Sequence, residues 1–282
     1  MQNILVVNVN WLGDVIFSSP AFKALKEKYP ESHVACLGVP RVAEVLEHID
    51  GIDEVIVYEE KGCHASLLGK LRLINQLRKK RFDIVFLFHR SLTRALLVFM
   101  AGIPIRVGYD AKKRGMFLTH RVKPLIGVVH RSDFYLNVIE FFRIEVKDRN
   151  YYLKVYDEDI EFVSKLFKDN GIKSDDFVIV LNTGGNWDLK QWSEESFSFL
   201  IDQIAKEFRF KIVLTGGLKD VERVERIIAG LKNDVVNFAG KTNLSQLMGV
   251  MQRADVVISA DSGPLHVASS VGWTNHVTWQ KV

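Results

Sequence analysis

The chain has 282 residues, 48% of them hydrophobic and 26% charged, with a net charge of +4, and that length exceeds one ordinary core and implies two domains. No apolar run approaches the ~20 residues of a membrane span, and the start, Met1-Gln2-Asn3-Ile4, enters a strand without a basic n-region or cleavage site, so a cytoplasmic protein is expected. Two cysteines, Cys36 and Cys63, argue against a disulfide framework and a thiolate metal cluster.

In chain order, short apolar runs alternate with helical patterns. Strands are expected at 4–9, 33–37, 55–57 and 84–88, and helices at 15–28, 41–48, 64–80 and 91–100. A basic loop over 106–123 and a helix over 131–143 follow, and the polar and aromatic segment 147–156 reads as a linker. The alternation then restarts, with helices at 158–169, 194–207, 219–230, 243–252 and 263–271 around strands at 177–181, 211–214, 235–238 and 255–259. This pattern predicts an α/β chain of two Rossmann-like domains, 1–150 and 151–282, whose parallel sheets face a cleft.

Charge is unevenly shared. Residues 1–150 carry 23 basic and 16 acidic residues, a charge of +7, and the remainder carries −3. Over 61–131 there are 16 basic residues against Asp83 and Asp110 alone, a field suited to a polyanion or an anionic membrane surface. Arg90, Arg94, Lys112, Lys113 and Arg114 are its candidates for binding an anionic acceptor. No nucleic acid is expected, because no helix-turn-helix, finger or aromatic RNA-binding signature accompanies the charge.

Ligands of open parallel sheets bind beyond the carboxyl ends of the strands, so the loops that follow strands carry the chemistry. Asp14, in Asn10-Trp11-Leu12-Gly13-Asp14, falls in the opening turn of a helix and suits either a general base toward an acceptor hydroxyl or a helix cap. Thr183 and Gly184 open a glycine-containing loop that offers N–H groups to an anion, and Lys190 further along it would neutralise a leaving phosphate. Asp220 and Glu222, after Thr215-Gly216-Gly217, read equally as ribose ligands or as a solvated helix start. Asp261-Ser262-Gly263-Pro264-Leu265-His266 is the most informative segment: Ser262 is placed to cap a helix, Gly263 permits close approach, Pro264 suits a first turn, and Asp261 and His266 add an acceptor and a donor beside a helix terminus that attracts pyrophosphate. A base in one half and a pyrophosphate cradle in the other describe sugar transfer from a nucleotide donor, without a metal or a further cofactor.

These segments, with Arg106-Val107-Gly108-Tyr109 and Phe238-Ala239-Gly240-Lys241-Thr242, resemble the ADP-heptose lipopolysaccharide heptosyltransferases of glycosyltransferase family 9 through nearly the whole chain. The resemblance implies a GT-B fold and inverting transfer of heptose from ADP-heptose to the inner core of lipopolysaccharide. Asp14 would be the base, Lys190 would face the pyrophosphate, and Thr183, Asp261, Ser262, Gly263 and His266 would hold the donor. It further implies a monomer working peripherally at the cytoplasmic face of the inner membrane. After Gly272 the ten residues Trp273 to Val282 stand where the family continues with another strand and further helices, so the expected end is shortened, with an exposed sheet edge and an incomplete donor pocket. Two other readings follow: a catalytically impaired nucleotide-sugar binding protein, or a GT-B nucleotide-sugar epimerase, against which the long basic stretch speaks.

Overall fold

The computed structural model describes residues 3–185 and 192–272, together with the backbone of 276–279. The chain divides into two compact units, Met1–Leu153 and Lys154–Val282, and the boundary falls within the segment read as a linker.

The first unit is built on six parallel strands, β1 (Asn3–Val7), β2 (His33–Gly38), β3 (Glu54–Val57), β4 (Ile84–Leu87), β5 (Ile105–Tyr109) and β6 (His120–Val122), ordered β3-β2-β1-β4-β5-β6. Runs such as Ile4-Leu5-Val6-Val7 and Ile84-Val85-Phe86-Leu87 are apolar at every position because helices cover both faces of the sheet. On one face α4 (Leu67–Lys79) and α5 (Leu92–Met100) pack Leu73, Leu77, Ala95 and Val98 onto Leu5, Val7, Val85 and Leu87. On the other lie α1 (Leu12–Phe17), α2 (Ser19–Lys28), α3 (Pro40–Glu47) and α6 (Arg131–Glu140), with Tyr135 of α6 packed on Phe88.

Two expectations change here. The helix expected over 15–28 is two helices that break at Ser18, because Pro20 has no N–H to continue the ladder and instead opens α2. The expected basic loop over 106–123 holds β5, β6 and a 3-10 turn, Arg114–Phe117. Arg106 and Gly108 interrupt the apolar signal of β5, and β6 is only three residues long.

In the second unit β7 (Val178–Asn182), β8 (Lys211–Thr215), β9 (Val236–Asn237), β10 (Val256–Ala260) and β11 (His276–Trp279) form a parallel sheet ordered β11-β10-β7-β8-β9. Helices α8 (Glu194–Glu207) and α9 (Val221–Ala229) cover one face, and α7 (Asp157–Asp169) and α10 (Leu244–Arg253) pack together. The expected open edge beside β10 is overturned: the backbone of His276–Trp279 pairs with it, Val257 opposite His276 and Ala260 opposite Trp279. Helix α11 (Gly263–Ser270) follows β10 directly.

Candidate active site

Both sheets reverse their strand order once, between β1 and β4 in the first unit and between β7 and β10 in the second. At such a switch point the flanking connections leave toward opposite faces and open a crevice at the carboxyl ends of the strands. The predicted loops are the ones that occupy these two positions.

In the first unit Asp14 sits in the opening turn of α1. Its Oδ1 accepts from Arg131 Nε at 2.8 Å and from Tyr135 Oη at 2.9 Å, while Oδ2 accepts nothing from the described residues. Tyr135 is buried, and that burial, reinforced by the Asp14 charge, pushes its phenol above the usual tyrosine range, so it remains a neutral donor. Bonding to the carboxylate likewise raises Arg131. Neither residue carried a sequence signal, because both stand on α6, far along the chain from Asp14. Above the loop, Trp11 is exposed and the Arg41 guanidinium lies 4.2 Å over its ring.

Beyond β4 the basic residues divide into two kinds. Arg90, Lys112 and Lys113 are exposed, the lysines with left-handed φ values of 52° and 61°. Arg94 and Arg114 are fully buried, which corrects their reading as acceptor ligands. Arg94 donates to Asn8 O at 2.8 Å and to Asn10 Oδ1 at 2.7 Å, and its Nη2 lies 3.4 Å from Glu60, so it braces the loop that precedes Asp14. Arg114 donates to Tyr109 O and His89 O, and its Nη2 is buried without a partner. Burial, then the neighbouring Arg90, brings Arg114 down to about 10. His89 is held at about 4, first by burial and then by the charges of Arg94, Arg114, Lys112 and Arg90. The imidazole is therefore neutral, consistent with its Nδ1 accepting the Ser91 N–H at 3.1 Å.

In the second unit the loops after β7 and β8 meet around glycines, and the loop after β10 leads directly into α11. Thr183 is buried and its hydroxyl donates to Thr215 O at 3.3 Å, which turns its predicted donor contact into a brace between β7 and β8. Asp220 is buried too, and its Oδ2 accepts the Gly217 N–H at 2.9 Å, so its carboxylate shapes the loop. A Cβ at Gly184 would lie 2.6 Å from that same oxygen, so only glycine fits there. Glu222 is exposed in the first turn of α9. Ser262 occupies the N-cap position of α11 but its side chain makes no capping bond, and Pro264 lies in the first turn as expected. Asp261 Oδ1 lies 3.8 Å from His266 Nε2, both side chains half-buried at the helix entry. Lys190 lies outside the described residues.

The second unit thus holds a loop of glycines and an uncapped helix entry, and the first a carboxylate fixed by one oxygen. Residues 70–275 match glycosyltransferase family 9 (heptosyltransferase). The chain belongs to that family. It is 24% identical to lipopolysaccharide heptosyltransferase 2 of Salmonella typhimurium, over 96% of this chain and 80% of that protein. Among solved structures it is similar to a glycosyl transferase family 9 protein from Veillonella parvula, with a TM-score of 0.87 and 24% identity over 99% of this chain and 86% of that one. It is similar as well to the ADP-heptose heptosyltransferase II of E. coli, with a TM-score of 0.76 and 22% identity over 95% and 81% of the two chains. A family 9 protein is a transferase with the GT-B fold, and these likenesses place the chain in that fold class. The family match encloses the loops of β7, β8 and β10 but begins after Asp14.

Proposed function

We propose that this protein transfers heptose from ADP-heptose to the inner core of lipopolysaccharide with inversion at the anomeric carbon. The carrying observation is the carboxylate of Asp14, with Oδ1 anchored by Arg131 and Tyr135 and Oδ2 without a partner among the described residues. That oxygen removes the proton of an acceptor hydroxyl as the hydroxyl oxygen bonds to the anomeric carbon. The bond from that carbon to the diphosphate breaks in the same displacement, and ADP departs with the electron pair. The diphosphate rests against the N–H groups of the α11 entry at Gly263 and beside the Gly184 loop, with Asp261, Ser262 and His266 next to it and Lys190 offsetting the departing charge. Exposed Arg90, Lys112 and Lys113 attract the phosphates and carboxylates of the acceptor.

The acceptor of this reaction is anchored in a lipid leaflet, so the protein works peripherally at the cytoplasmic face of the inner membrane. No helix among the described residues is long and apolar enough to cross a membrane.

ADP release from ADP-heptose, with and without a heptose-deficient lipopolysaccharide acceptor, tests the reading. Release that depends on acceptor is expected, and Asp14→Asn should lower it by roughly 10²–10⁴-fold while leaving ADP-heptose binding intact. Binding without release would make the chain a nucleotide-sugar binder; an unchanged rate in the variant would remove Asp14 from the mechanism.

A further inference from the structure

Helix α5 has two unlike faces. Its inner face carries Ala95, Val98 and the buried Arg94 that grips the loop before Asp14. Its outer face shows Leu92, Leu96, Phe99 and Met100, all 37–45% exposed and spaced at i, i+4, i+7 and i+8, which is one side of a helix. A solvent-facing helical stripe is normally polar, and an unbroken apolar one marks a surface that meets something other than water. Neighbouring elements extend it. Helix α4, packed beside α5, exposes Leu71, and the 3-10 turn whose Phe117 ring lies 5.4 Å from that of Phe99 exposes Met116 at 71%.

The rim is basic. Arg78 donates to Met100 O at 2.6 Å, the Arg106 guanidinium lies 5.2 Å over the Phe99 ring, and exposed Lys113 opens the turn that carries Met116. No residue of α4, α5 or that turn is acidic. A second copy of the same face would set these cations against one another, whereas a sheet of anionic headgroups over acyl chains complements both the rim and the stripe.

We infer that the outer face of α5, with the adjoining first turns of α4 and the Arg114–Phe117 turn, docks this protein on an anionic lipid surface. Docking through this helix sets the loop it grips, and with it Asp14, beside the leaflet that holds the acceptor. The inference rests on the proposed reaction for its purpose, and a lipid readout without acceptor keeps the two apart.

Co-sedimentation of the whole chain with vesicles of phosphatidylcholine alone, or of phosphatidylcholine mixed with phosphatidylglycerol, is the test. Binding to the mixed vesicles only is expected, weakened by salt. Leu96→Glu with Phe99→Glu should reduce it about tenfold or more, and Arg78→Gln with the change of its exposed neighbour in the last turn of α4, Lys79→Gln, by a smaller factor. Phe199→Glu, at an exposed site on α8, should leave it unchanged. The α5 variant should also keep its transfer rate on a deacylated, water-soluble acceptor. Equal binding by wild type and the α5 variant would overturn the inference, as would no binding by wild type. A solution dimer that the α5 variant dissociates would assign the face to a second copy and overturn it too.

Discussion

Tyr135 shares Asp14 Oδ1 with Arg131, and the two donors differ in kind. Arg131 is half-exposed and brings charge, whereas Tyr135 is buried and brings direction, since its ring is wedged against Phe88 and Phe134. Tyr135→Phe keeps the wedge and removes the hydrogen bond to a charged acceptor, a loss on the order of 1.5–3 kcal/mol when such a bond is broken. As a positioning residue it should lower kcat by about tenfold or more and leave the donor KM within about twofold; an unchanged kcat would show that Arg131 alone aims the base. Of this trio the sequence disclosed only Asp14, because a carboxylate just after a strand is a local pattern and a partner more than a hundred residues away is not. Arg94 and Arg114 misled in the opposite sense: composition registers their charge, but only the fold shows that both guanidinium groups are buried and turned onto Asn8, Asn10, Tyr109 and His89.

His89 sits among those cations and supplies a pH signature. Its folded value of about 4 lies below the 6.5 of an ordinary histidine, so the unfolded chain binds the proton more readily than the folded one. Its contribution to stability is therefore complete above pH 6.5 and is lost as pH falls toward 4. Chemical denaturation at a series of pH values should show that decline, and His89→Asn should flatten it across that window. An unchanged slope in the variant would assign the decline to other groups.

At the scale of elements, the turn after β8 is set by one side chain. Asp220 holds the Gly217 N–H and leaves no room for a methyl at Gly184, where the added Cβ would meet its carboxylate at 2.6 Å, or at Gly216, where it would meet the Asp220 Cβ at 2.8 Å. Gly184→Ala must displace Asp220 and with it the neighbouring loop. We expect a stability loss of ~1–3 kcal/mol, typical of overpacking, and an ADP Kd raised about tenfold or more by titration calorimetry; unaltered ADP affinity would detach this loop from the nucleotide. The repeated glycines were visible from the sequence as a phosphate-binding signal, yet the carboxylate that requires them looked equally like a ribose ligand. Strands with unbroken apolar runs such as β1 and β4 were legible to within two residues, while β5 was hidden by Arg106 and Gly108 and β6 by its three-residue length.

For the whole molecule, the alternation of strand and helix and its interruption at 147–156 were enough to indicate two Rossmann-like units, because parallel sheets buried on both faces write themselves as apolar runs. The edge beside β10 was misjudged for the converse reason. His276-Val277-Thr278-Trp279 mixes polar and apolar residues, as a strand at the margin of a sheet does, and it pairs with β10 all the same. That pairing moves the vulnerable margin away from the strand that leads into α11. Among the described residues the margins of the two sheets are β3, β6, β9 and β11, which span four, three, two and four residues. Strands this short present too few free N–H and C=O groups to template another chain. Crowded copies of this protein thus find little at these margins by which to join sheet to sheet, and the apolar runs of β1 and β4 are kept in the interior.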